Sequence, residues 1–218
     1  MDSGNIIENT ISFVKQTLEG AEGGHDWYHI ERVWNTARYI RKKEGAGDVL
    51  TIELAALLHD ISDAKFNGGD EDKGSRMAGD FLKKLGLEQK KADHIQSIIQ
   101  HVSYKGGFAQ NQISSIEFRI VQDADRLDAI GAIGIARAFN YGGFKNRPIH
   151  NPEMPLQEYK DPKAYHKSDA PTINHFYEKL LKLKDMMNTS TGIEMAEERH
   201  AYMLRFLEQF YREWDPNT

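Results

Sequence analysis

The chain contains no cysteine among its 218 residues. This absence excludes disulfides, thiolate metal ligands, iron–sulfur clusters and a cysteine nucleophile. Basic residues are also in deficit, because 28 Lys and Arg face 33 Asp and Glu and give a net charge of −5 with neutral histidine. A chain with this charge is not expected to bind duplex nucleic acid. Any metal ion it binds must use nitrogen and oxygen ligands.

Long apolar runs and strand signals are missing as well. The first twenty residues carry early acids and no long apolar run, which argues against a signal peptide or a membrane span and predicts a cytoplasmic protein without a membrane partner. No period-two run of strand length occurs in the chain. The length favours one domain over residues 1–218, since a domain commonly takes about 150 residues.

Hydrophobic residues recur at the three- and four-residue intervals that trace one face of a helix. Such stripes cover residues 7–18, 30–40, 54–61, 77–85, 95–102, 116–127, 173–183 and 195–214. They predict an all-α, single-domain helical bundle. Within it we expect Thr51 to open the third helix, and Thr191 with Glu194 to form a capping box before the last one.

Proline is concentrated in one stretch. Five of the six prolines fall within residues 142–171, together with Gly142 and Gly143. This composition predicts a long irregular loop, of the kind that often serves as a lid or binding element. The expected organisation is therefore a core over about 20–145, the loop over 142–171, and C-terminal helices over about 172–214.

Two histidines and two aspartates occupy apolar surroundings at distant positions. His59 and Asp60 end the apolar helix of residues 54–58, where burying two titratable groups is costly unless something pairs with them. His29 lies 30 residues before His59 on an amphipathic helix, and Asp125 lies 65 residues after Asp60 among apolar residues. Together the four could neutralise one divalent cation and leave positions for water or a phosphate oxygen in an octahedral site. Mixed nitrogen and oxygen ligands favour manganese, cobalt, nickel or iron, with magnesium as a further candidate.

The same residues carry a family resemblance. His29, the His59-Asp60 dipeptide and Asp125 reproduce an H…HD…D pattern, within the segments GHDWYHIERVW, LAALLHDISDAK and VQDADRLDAIGAIGIARAF. Over roughly residues 20–145 the chain resembles the HD-domain metal-dependent phosphohydrolases, in particular their small bacterial YedJ/YpgQ-like branch. The resemblance implies an all-helical HD fold, metal ligation by these four residues, and hydrolysis of a phosphate ester or anhydride. The substrate in this family is commonly a nucleotide, and some members split nucleoside triphosphates into monophosphate and pyrophosphate.

Asp63 lies one helical turn beyond Asp60, so the two carboxylates share a side of the helix or of its continuation. It is a candidate general base, or alternatively an acceptor that orients a ligand histidine. Many members of the family have glutamate at this offset, so the shorter aspartate leaves both roles open.

Six further residues are candidates for contact with a phosphorylated substrate: His25, Asp26, His101, Lys105, Arg126 and Asp128. Lys105 lies in the glycine-containing loop SYKGG and Arg126 follows Asp125 directly, so either could neutralise phosphate charge, although each could also be a solvated surface cation. Asp128 could line the pocket or bond a ligand histidine. His94, seven residues before His101 on the same helix face, is expected to be structural.

Two other functions compete with this interpretation. His25 and His29 with Asp26 between them imitate the HExxH spacing of zinc proteases. Gly23 and Gly24 place His25 at a helix start instead, where Asp26 would act as a cap or first-turn acid. A nucleotide-binding regulator without turnover is the second alternative, and open coordination positions argue for the enzyme over it. The expected partner is a small phosphorylated substrate, and both a monomer and a homodimer remain open.

Overall fold

The computed structural model describes residues 2–21, 24, 26–61, 73–102, 113–157 and 168–217. These residues form nine α-helices and one 3-10 helix, with no strand among them, which confirms the predicted all-α fold. In chain order the elements are α1 (Ser3–Thr17), α2 (Trp27–Glu44), α3 (Val49–Leu58), α4 (Lys73–Lys84), α5 (Gln89–Val102), α6 (Ile116–Asp128), α7 (Gly131–Phe144), α8 (Thr172–Glu178), the 3-10 helix Leu180–Met186 and α9 (Ser190–Trp214).

Contacts divide the chain into two compact units. The described residues up to 102 and those of 113–125 belong to the first, and residues 126 onward belong to the second. In the first unit α3 packs against α1, α2 and α5, and α4 packs against α5. Because α3 packs against three other helices, its residues 54–58 are all apolar and fully buried. The single-domain organisation over 1–218 stays a prediction.

Two helices begin at residues other than those expected. The N-cap of α3 is Asp48, whose Oδ1 accepts from the Thr51 amide at 2.8 Å and from the Thr51 hydroxyl at 2.6 Å. The N-cap of α9 is Thr189, whose Oγ1 accepts from the Gly192 amide at 3.0 Å. The predictions of Thr51 and Thr191 as starting residues are therefore wrong. In both cases a side-chain acceptor two or three residues upstream satisfies a free amide of the first turn.

The irregular stretch in the second unit starts later than predicted. Helix α7 continues through Gly142 to Phe144, so residues 142–144 are helical. Gly142 is buried, and a Cβ at this position would overlap the hydroxyl of Thr172. Gly142 therefore permits close packing against α8, whereas the composition of residues 142–171 predicted an irregular loop at this position. Described residues 145–157 and 168–171 are irregular, as expected, and residues 158–167 lie outside the described part of the chain.

Backbone hydrogen bonds tie residues 145–157 to α8. The amide of Thr172 donates to the carbonyl of Pro148 at 2.9 Å, and the amide of Gln157 donates to the buried carboxylate of Glu178 at 3.1 Å. The predicted single helix over 173–183 is interrupted at Lys179 (φ −136°, ψ −60°), beyond which the chain continues as the 3-10 helix. In the second unit α9 packs on α7 and on the 3-10 helix.

None of the described helices combines the length and apolar character that crossing a membrane requires.

Candidate metal centre

His29 lies in the first turn of α2, on its buried face. Val33, Ala37 and Ile40 continue that face and are fully buried, so core packing fixes the side of the helix on which the imidazole lies. Asp26 is the N-cap, and its Oδ1 accepts from the His29 amide at 3.1 Å. This hydrogen bond corresponds to the capping role considered for Asp26. Substrate binding by Asp26 stays a prediction.

His59 is the C-cap residue of α3 and is 7 % exposed. Its Nδ1 lies 2.8 Å from the carbonyl oxygen of Ala56 and must donate, because a carbonyl only accepts. In the neutral imidazole, Nε2 then carries the lone pair that a metal ion requires. Asp60 follows directly, and its side chain is 17 % exposed.

These side chains converge with Asp125 of α6 within the first unit. The two Nε2 atoms of His29 and His59 lie 3.2 Å apart. Asp125 Oδ1 is 3.7 Å from Nε2 of His29 and 3.6 Å from Nε2 of His59, and Asp60 Oδ2 is 3.8 Å from Nε2 of His29. Among the described residues, His29, His59 and Asp125 form a group whose ligand atoms all lie within 4.8 Å of one another. Asp60 is not part of that group and lies beside it, next to His29.

The cluster fits a divalent cation in spacing and in charge. Ligand atoms about 2.1 Å from a metal are about 3.0 Å apart when adjacent in an octahedron and about 3.4 Å apart in a tetrahedron. The separations of 3.2 to 3.8 Å exceed the octahedral spacing by about 0.2 to 0.8 Å and lie within about 0.4 Å of the tetrahedral one. Two carboxylates and two neutral imidazoles also cancel the charge of such an ion. The residues can therefore hold a divalent metal.

Electrostatics favour positive charge at the same place. Burial lowers the pKa of His59, but contact with the Asp125 carboxylate and the charges of Asp125 and Asp60 outweigh it and raise that pKa from 6.5 to about 9. A metal-free cluster therefore holds a proton near neutral pH. A divalent cation would neutralise the charges of the same two carboxylates, Asp60 and Asp125.

Three predicted site residues, His25, Asp63 and Lys105, lie outside the described residues. His101 lies in the last turn of α5, and its Nδ1 donates to the carbonyl of Ser97 at 2.8 Å. His94 lies with Nε2 3.5 Å from the Glu117 carboxylate of α6, consistent with the structural role expected for it.

Arg126 and Asp128 belong to the second unit and are buried. Nη1 of Arg126 donates to the carbonyl of Met186 in the 3-10 helix, so Arg126 is not the solvated surface cation considered as an alternative. Asp128 Oδ2 accepts from Nη1 of Arg137 at 2.9 Å. Substrate contact by either residue stays a prediction.

The groups that bind the side chains of His59, Arg126 and Asp128 were not predicted from the sequence. The Ala56 carbonyl, Arg137 and the Met186 carbonyl carried no sequence signal, because two are backbone atoms and the third is one arginine among many. Arg199 was missed for the same reason, although its Nη1 donates to the Leu127 carbonyl at 2.5 Å, two residues beyond Asp125.

An all-helical fold whose core directs two imidazoles and one carboxylate to one point, with a second carboxylate beside them, is typical of helical metal-dependent hydrolases. Residues 26–130 match the family model of the HD domain. The chain is 41 % identical over 208 residues to the protein YpgQ of Bacillus subtilis, an alignment that covers 94 % of this chain and 92 % of YpgQ.

Two solved structures give the same assignment. An HD-superfamily hydrolase from Bacillus thuringiensis shares 45 % identity over 98 % of both chains, with a TM-score of 0.76. The structure of B. subtilis YpgQ in complex with ADP covers 98 % of this chain and 97 % of YpgQ, at 35 % identity in that superposition and a TM-score of 0.75. The chain belongs to the HD-domain superfamily, in its YpgQ-like branch, and is a metal-dependent phosphohydrolase.

Proposed function

We propose that the chain hydrolyses a phosphoanhydride bond of a nucleotide, with His29, His59, Asp60 and Asp125 as ligands of one divalent cation. A nucleoside triphosphate cleaved to monophosphate and pyrophosphate is the first candidate reaction. The convergence of His29 of α2, His59 at the end of α3 and Asp125 of α6, with Asp60 beside His29, carries the proposal. The ADP bound to the similar protein YpgQ supports the choice of a nucleotide.

The cation, when bound, polarises a phosphoryl oxygen and makes hydroxide available from water near neutral pH. The chain's own part is to fix the ligands before substrate arrives. Nδ1–H of His59, held on the Ala56 carbonyl, keeps Nε2 directed into the cluster, and Asp26 fixes the first turn of α2 and with it the backbone of His29. Such contacts hold the ligand side chains in the orientation that metal binding requires, and they raise metal affinity.

Proton transfer and charge neutralisation are assigned to residues around the cluster. Asp63, three positions after Asp60, is the proposed general base, with orientation of a ligand histidine as its alternative role. His101, Lys105 and Arg126 are the proposed partners of the phosphate oxygens. Manganese, cobalt, nickel, iron and magnesium are the candidate metals.

The test is an assay of the metal-depleted protein with each of the five metals in turn. The substrates are a panel of nucleoside triphosphates, the matching monophosphates and p-nitrophenyl phosphate, with chromatography of the products. We expect pyrophosphate and monophosphate from at least one triphosphate. If inorganic phosphate is released only from p-nitrophenyl phosphate, the substrate is a phosphate ester and not a phosphoanhydride. Tight nucleotide binding without turnover under every metal would identify a regulator and overturn the proposal.

A matched pair of variants tests the ligand assignment. Asp60→Asn keeps the shape of the side chain and removes a charge next to His29 Nε2, so it should lower metal content and rate together. Asp80→Asn makes the same chemical change at an exposed position of α4 and should alter neither. Full metal content and full rate in Asp60→Asn would show that the proposed coordination is wrong.

A further inference from the structure

A concave surface lies on the hairpin formed by α2 and α3. Its cavity of about 410 Å³ is lined by Asn35, Arg38, Tyr39, Arg41, Lys42, Val49, Ile52 and Glu53. This volume is within the range of about 300 to 1,000 Å³ that small-molecule sites occupy. All eight lining residues belong to the first unit. We call this surface the hairpin pocket.

The hairpin pocket is distinct from the metal cluster. Arg38 follows His29 by nine residues on the same helix. Nine residues correspond to about 14 Å along the axis and to a half-turn about it, so Arg38 lies on the opposite face of α2. Arg41 and Lys42 lie still farther along α2, about 18 to 20 Å from His29 along the axis, so a phosphate held there is remote from His29.

Charge in the hairpin pocket contrasts with charge in the whole chain. Three cations, Arg38, Arg41 and Lys42, face one carboxylate, Glu53, so the lining carries 3 − 1 = +2, whereas the chain carries −5. A local excess of this kind concentrates small anions.

The two arginines are held in position before any ligand binds. Arg41 Nε donates to the carbonyl of Gly47 in the turn between the helices, at 3.3 Å. The Arg38 guanidinium lies over the ring of Trp34 with its centre 5.2 Å from the ring centroid, and its Nε is 3.6 Å from Glu53. Glu53 in turn accepts from Trp34 Nε1 at 3.0 Å. Preorganised guanidinium groups bind phosphate at a reduced entropic cost.

The rest of the lining is apolar and partly exposed. The side chains of Tyr39 and Val49 are 47 % and 44 % exposed, although both line a concavity, and Ile52 below them is buried. An aromatic ring beside cations suits a ligand that combines a planar ring with an anionic group.

We propose that the hairpin pocket binds a small phosphorylated molecule with a planar ring, such as a nucleoside monophosphate, independently of the metal cluster and of the proposed hydrolysis. The phosphate contacts Arg41 and Lys42, and the ring packs on Tyr39 and Val49.

Calorimetric titration in EDTA tests the proposal, with AMP and inorganic phosphate as separate probes. We expect one AMP per chain in the native protein. The double variant Arg41→Gln/Lys42→Gln should lower the affinities for AMP and for phosphate about tenfold, as expected for two partly exposed charge contacts. Lys83→Gln/Lys84→Gln is the matched control, because it also removes two cations from the last turn of a helix, α4, and it should leave both affinities unchanged. Tyr39→Ala should lower the affinity for AMP and leave the affinity for phosphate unchanged.

Each contrary result identifies a specific error. Loss of AMP binding in Asp60→Asn would place the nucleotide at the metal cluster. Two results would overturn the site: equal affinities for AMP in Arg41→Gln/Lys42→Gln and Lys83→Gln/Lys84→Gln, or no binding by the native protein at millimolar AMP. Either would show that Arg41 and Lys42 serve only to balance the negative end of the α2 dipole. Equal affinity for phosphate and AMP would overturn the ring contact.

Discussion

Replacing Asp125 by asparagine tests the electrostatics of the metal cluster most directly, because it removes one charge and preserves the side-chain shape. The carboxylate is 3.6 Å from Nε2 of His59, which is buried. In the metal-free protein, the rise of the His59 pKa from 6.5 to about 9 corresponds to about 3 kcal/mol in favour of the imidazolium. Asp125 contributes more of this rise than Asp60. We therefore expect Asp125→Asn to lower the free energy of unfolding at neutral pH by about 2 kcal/mol in EDTA.

The loss should depend on pH in a defined direction. The folded-state pKa of His59 exceeds the unfolded value, so the stabilisation by its partners is complete below pH 6.5 and disappears as pH rises through about 9. Urea unfolding in EDTA should therefore show a large difference between native and variant proteins at about pH 6.5 and a small one at about pH 10. Asp80→Asn is the control for an exposed carboxylate. A difference that is the same at both pH values would refute the ion pair.

The same variant should lose metal as well as stability. Residues that merely orient ligands change metal affinity about 10- to 100-fold, so loss of a ligand carboxylate should cost more than about 100-fold. Titration with manganese, followed by calorimetry, measures this change. Unaltered affinity in Asp125→Asn would remove Asp125 from the ligand set.

Three further predictions concern the fold and the metal. Gly142→Ala should destabilise the protein by about 1 to 3 kcal/mol, because its Cβ would overlap Thr172, whereas Gly143→Ala, with open space around it, should be neutral or slightly stabilising in urea unfolding. Asp48→Ala should cost about 1 kcal/mol at neutral pH through loss of the α3 cap. Burial raises the Asp48 pKa, but hydrogen bonds from Thr51 outweigh it and the net change is downward, so this cost should shrink as pH falls below 3.8. Removal of the metal by a chelator should abolish hydrolysis and lower Tm. Adding manganese at 100 times its Kd should then raise the free energy of unfolding by about 2.7 kcal/mol.

Periodicity predicted most of the helices, but it missed α7, did not show the break at Lys179, and failed at helix ends. Apolar spacing reports which face of a segment is buried, and that holds for α2 and for α6. It does not identify the polar residue that caps a helix. Asp48 and Thr51 are both good caps by residue type, and the structure uses the first as acceptor and the second as donor. Gly142 was misread because a glycine in a turn and a glycine at a close helix contact look alike in sequence.

The candidate site was predictable as far as it depends on the chemistry of its own side chains. An adjacent histidine and aspartate at the end of an apolar helix required a pairing group, and the structure brings His29 and Asp125 to His59, with Asp60 beside His29. The surroundings of Arg126 were not predictable, because its partner is a backbone carbonyl 60 residues away that has no signature in the sequence.

The metal cluster uses the polar groups that helix ends leave without partners. The first four amides and the last four carbonyls of a helix lack partners within it. His29 lies among the first residues of α2, where its amide donates to Asp26, and His59 ends α3, where its ring donates to the free carbonyl of Ala56. The hydrogen bonds at these helix ends therefore also fix the backbone of His29 and orient the imidazole of His59. It follows that a substitution at Asp26 that shifts the start of α2 should alter the metal cluster as well as helix stability, because one contact fixes both.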